Sequence, residues 1–82
     1  MKEKVYLSTF EMFDGEDYMH DTEIYENLQD AQDDMQELME NYEPFWEDFD
    51  TINKDDYTFS AYDKEHKDLA YIKITIEQRD MR

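Results

Sequence analysis

The 82 residues carry 24 acids against eight Lys and Arg, a formal net charge of −16. That charge excludes direct nucleic-acid binding, since phosphates would be repelled, and the lack of Cys excludes disulfides and thiolate catalysis. Yet 39% of the residues are hydrophobic, with seven Tyr, five Phe and one Trp, so the chain is no disordered acidic tail but one small domain, 1–82.

No apolar run is long enough for a signal peptide or a membrane span. The expectation is a complete cytoplasmic protein without a membrane partner. A charge this large exceeds what solubility requires and opposes compaction by self-repulsion.

Taken in order, Lys4 to Phe13 alternates and is rich in β-formers, which predicts a strand. Its buried face is ambiguous: Val5 and Leu7 lie on one side, Tyr6, Phe10 and Met12 on the other. Asp14-Gly15 is the strongest turn dipeptide. Tyr18 to Tyr25 can return as a second strand, best supported at Thr22 to Tyr25.

Asn27 has the chemistry of an N-cap, with Asp30 three positions on. Leu28, Ala31, Met35, Leu38 and Tyr42 then recur at helical spacing, which predicts an amphipathic helix ending near Tyr42, ahead of Pro44. Asp30, Asp33, Asp34, Glu37 and Glu40 fall between these positions and form an acidic row on the opposite face. Phe45, Trp46, Phe49 and Ile52 predict a short second helix, with its aromatics closing the core and Trp46 the one most open to solvent. Asn53 to Asp56 reads as a polar loop.

Tyr57 to Tyr62 alternates and reads as a strand. Asp63 to Asp68 reads as a charged hairpin loop. Leu69 to Gln78 reads as the last strand, with Ala70, Ile72, Ile74 and Ile76 inward and Tyr71, Lys73, Thr75 and Glu77 outward. The tail from Arg79 is expected to fray. The order predicts an α+β domain: a small antiparallel sheet of three or four strands, with one main helix and a short second helix on one face.

The charge is segregated. From Val5 to Asn53 there is no Lys or Arg, and sixteen acids fall between Glu11 and Asp50. Along the helix the acids step by about 5 Å, against about 3.4 Å between phosphates of one DNA strand. Asp30, Asp33, Asp34, Glu37 and Glu40, extended by Glu43, Glu47 and Asp48, are therefore the candidate residues for binding a basic partner. A solvated face serving solubility is the plainer alternative.

Other chemistry finds little support. Asp14, Glu16, Asp17 and Asp21 have the composition of a hard-cation loop without EF-hand spacing. His20 and His66 have no second His or Cys at ligand spacing. Ser8 and Ser60 lie in strands without nucleophile-turn chemistry. No catalytic residue, metal site or cofactor is predicted, and the chain is not expected to be an enzyme.

In its profile of size, acidity, aromatic richness, lack of Cys and an acidic helix beside a small sheet, the chain resembles the small acidic DNA-mimic proteins of phages and mobile elements. These are anti-restriction proteins, anti-CRISPR proteins and uracil-DNA glycosylase inhibitors. The resemblance spans the whole chain, rests on no shared motif and carries over no residue's role. It implies inhibition of a nucleic-acid-binding protein, such as a host defence nuclease or a DNA-processing enzyme, by occupation of its basic groove. The other reading is a small regulatory or structural interaction module, a homodimer joined through a sheet edge being one form of it.

Overall fold

The computed structural model describes residues 3–63 and 70–81. In order they form β1 (Glu3–Phe13), β2 (Tyr18–Tyr25), α1 (Leu28–Asn41), α2 (Glu43–Trp46), β3 (Thr51–Lys54), β4 (Thr58–Tyr62) and β5 (Tyr71–Met81). The strands make one antiparallel sheet in the order β2-β1-β5-β4-β3, with both helices on one face. The architecture is α+β as expected, but with five strands rather than three or four.

The extra strand comes from Thr51 to Lys54. Its polar residues read as loop because edge strands need little hydrophobicity, and Ile52, expected in a helix, lies here instead, opposite Ala61. The segment 79–81, expected to fray, pairs with 3–5 of β1, so the two terminal strands run side by side at the sheet centre. The first hairpin forms along its whole length, from Phe13↔Tyr18 to Tyr6↔Tyr25. Most of the predicted charged loop, 64–68, lies outside the described residues.

Local chemistry sets the boundaries. Gly15 takes φ 101°, a left-handed value that a Cβ would oppose. Beside it, the Asp14 carboxylate accepts from the Glu16 and Asp17 amides at 2.9 and 2.7 Å. Asn27 caps α1 by accepting from the Asp30 amide at 2.8 Å, and its own amide group donates to the Asp30 carboxylate at 3.0 Å. Pro44 sits in the first turn of α2, which lasts one turn.

Register resolves the ambiguity of β1. Ser8 and Phe10 are buried toward the helices, aligned with Ile76 and Ile74 of β5. Phe59, Ile72 and Ile74 are fully buried, and Ala31, also fully buried, lets α1 approach the sheet closely. Met35 and Met39 join them. Met39 lies outside the predicted stripe but at its margin, four residues after Met35, and is buried with it. Leu38, expected in the deep core, is half-buried at the edge.

The aromatic segment closes the far end. The Trp46 indole N–H donates to the Met39 carbonyl at 2.9 Å, occupying one of the orphan acceptors of the α1 C-terminus. The Trp46 ring meets Phe59 edge-on at 4.9 Å. Tyr42 stacks on Phe10, and Phe45 on Phe49 edge-on.

Candidate functional site

One face of the sheet carries the helices, and the other carries none, so side chains sort by strand parity. On the helix-free face, five rows cross the strands. Tyr18, Phe13, Tyr71 and Tyr62 align as an aromatic row at one end. His20, Glu11, Lys73 and Ser60 form the next, and Thr22, Thr9, Thr75 and Thr58 a threonine row. Ile24, Leu7 and Glu77 follow, then Val5 beside Arg79. The charged groups among them are Glu11, Lys73, Glu77 and Arg79, two of each sign. By register Glu3, opposite Met81, shares their parity, so this face is close to neutral on a chain of net charge −16.

The excess charge lies on the helix side, around its rim and in the turn of the first hairpin. On α1, Asp30, Asp33, Glu37 and Glu40 are exposed on the outward surface. Glu43, Glu47 and Asp48, also exposed, continue past the C-terminal end of α1. Asp34 departs from the predicted row. It is half-buried on the flank of α1 that looks toward β2, where it neighbours the Tyr25 hydroxyl. Burial first, and then Asp34 and the other neighbouring carboxylates, push the Tyr25 hydroxyl up to about 12.

Asp34 lines a cleft of about 120 Å³ between α1 and the first hairpin, with Asp21 and Glu23 of β2, Ser8 and Phe10 of β1, and Leu38. Ser8 is only 3% exposed. The cleft thus combines the apolar Phe10 and Leu38 with the Ser8 hydroxyl and three carboxylates. Lys and Arg are absent from its lining. Sequence reasoning missed Asp21 and Glu23 as site residues. The period-2 alternation of β2 was the usable signal: it turns both toward the helix side, alternate with Thr22 and Ile24.

The other flank of α1 is mixed: Asp33 lines it, its carboxylate accepting from the Gln29 side-chain amide at 2.9 Å. Gln29, Gln32 and Gln36 border a broader groove of about 290 Å³ against Lys54, Asp55 and Asp56, and the Gln32 amide donates to the Asp56 carbonyl at 3.1 Å. Carboxylates thus run outward and toward β2, while toward the β3–β4 turn they are interspersed with glutamines.

Asp14 spends its carboxylate on turn amides, which hold it below the usual carboxylate range. Among the described residues no group of three or more His, Cys, Asp or Glu is placed to hold a metal ion, and no helix is long and apolar enough to cross a membrane. The chain matches no known family model, no curated protein and no solved structure.

Proposed function

We propose that the helix side of this domain is a docking surface for a basic nucleic-acid-binding protein, and that the chain acts there as a non-enzymatic inhibitor occupying the groove meant for a phosphate backbone. The observation that carries this reading is the segregation of charge. A chain acidic only for solubility has no reason to leave one whole sheet face nearly neutral, since carboxylates serve that purpose anywhere on a surface. Here the exposed carboxylates of α1 present a row to a partner's Lys and Arg.

Within that surface the α1–β2 cleft is suited to a single penetrating Lys or Arg side chain. Phe10 and Leu38 would take its aliphatic stem, Asp21, Glu23 and Asp34 its charge, and Ser8 one of its N–H donors. Such a contact supplies position and residence time, while the outer row of α1 supplies steering.

The test begins with affinity capture at about 0.1 and 0.5 M NaCl and identification of a salt-sensitive nucleic-acid-binding partner. Kinetics then decide. Asp30, Asp33, Glu37 and Glu40 replaced by Asn, Asn, Gln and Gln should slow association about tenfold and weaken competition with the partner's nucleic acid, with circular dichroism unchanged. Asp34→Asn should act mainly on dissociation. Glu77→Gln, on the near-neutral face, should change neither. If the fourfold variant binds as wild type does, or Glu77→Gln loses as much, the acidity serves solubility alone.

A further inference from the structure

We infer that the near-neutral, helix-free face of the sheet is the interface of a symmetric dimer of this chain. Three observations carry the inference. Among the described residues no helix or further strand covers this face, although it holds the Tyr18–Phe13–Tyr71–Tyr62 row together with Leu7 and Ile24, the last 65% exposed. Its charges nearly balance within a chain of net charge −16, so two copies can stack here while their acidic faces point away from each other. A nucleic acid or an anionic membrane approaching the same face would meet the acidic rim instead, and a basic protein would find little excess of carboxylates to pair with.

The third observation is register. β1 and β5 are neighbours at the sheet centre, with Glu11 opposite Lys73. A two-fold axis parallel to these strands and between them lays β1 of one copy over β5 of the other. Glu11 then faces the other copy's Lys73, twice by symmetry, while Phe13 meets Tyr71 and Thr9 meets Thr75. The face is thus self-complementary, as a two-fold interface requires. Two sheets stacked in this way lie about 10 Å apart with strands nearly aligned.

The area suffices. Five strands at about 4.8 Å spacing, and five ranks of residues about 6.7 Å apart, give a face of roughly 19 by 27 Å. A pair would bury about 1,000 Å² in all, the lower bound of a specific interface. A weak, concentration-dependent dimer follows, rather than an obligate one. The Tyr18 and Tyr71 hydroxyls lie close to the Glu11 carboxylate.

The test uses the protein alone, so its outcome is independent of whether the acidic face has a partner. Sedimentation equilibrium from about 1 µM to 1 mM should show the mass rising from 10.2 kDa toward twice that value. Added salt should favour the dimer by screening the remaining repulsion between the two copies. Lys73 is exposed, so Lys73→Glu should leave the fold intact while weakening association at least tenfold. The swapped pair Glu11→Lys with Lys73→Glu should recover most of the loss. A monomer throughout that range at both low and high salt overturns the inference, and leaves the face to a partner of another kind. So does a dimer indifferent to Lys73→Glu, which would place the contact at an edge strand.

Discussion

Ile74 sits where the three central strands meet the helices, between Phe10 and Phe59 in register and fully buried. Ile74→Ala removes three carbons where the surroundings cannot collapse, and should cost roughly 2–5 kcal/mol by urea denaturation. An unchanged midpoint would mean that the centre of this core is loosely packed. Tyr25 offers a different single-residue measurement. Its proton is held to about pH 12 in the folded chain against 10.0 for the free side chain. A raised pKa on a neutral acid stabilises the fold fully below pH 10, and that contribution is lost as pH rises from 10 to 12. Absorbance at 295 nm should show a late tyrosinate step near pH 12 that disappears in Tyr25→Phe. If the step persists, the hydroxyl is not shielded by Asp34 and the α1 flank. Residues of this kind show what sequence can supply. The inward run of Ala70, Ile72, Ile74 and Ile76 was legible because alternation in a central strand is strict. The half-burial of Asp34 was not, because helical phase places a residue on a flank without saying which strand that flank will meet.

At the scale of elements, α1 was the most readable part of the chain: cap, stripe and stop all lie within seventeen consecutive residues, 27–43. The first hairpin was only half readable. Asp21 and Glu23 break the hydrophobic alternation of β2, and the strand exists because β1 and the turn at Asp14 dictate its register. β3 and the end of β5 were missed because neither segment has the apolar pattern that makes a strand visible on its own; β3 is held by the neighbouring β4, and the end of β5 by β1, remote in sequence. The acidic surface was legible in composition. Its companion, the near-neutral face, could be seen only once the strands were set side by side, because its charged residues come from the two ends of the chain.

Over the whole molecule, the dominant electrostatic term is self-repulsion. The described residues contain few compensating pairs, such as the solvent-exposed bridge from Arg79 to Glu77 at 3.0 Å, and exposed pairs contribute little. Screening should therefore stabilise the fold. At about 5 µM protein, where association is negligible, raising NaCl from about 0.02 to 0.5 M should increase Tm by several degrees. A Tm indifferent to salt would show that the carboxylates are too dispersed to strain the domain, and would weaken the case that their placement serves binding.

The pairing of the first strand with the last has a further consequence, in the order of synthesis. β5 lies between β1 and β4 and joins two hairpins that otherwise do not touch within the sheet. Until its residues leave the ribosome, β1 and β4 each expose an open edge, and α1 has only half a sheet to lie upon. Such non-local closure is slow compared with helix formation. The nascent chain must therefore wait for its final segment, with like charges along its middle holding it extended. The acidity that opposes the folded state would in this interval also keep unfinished chains from adhering to one another.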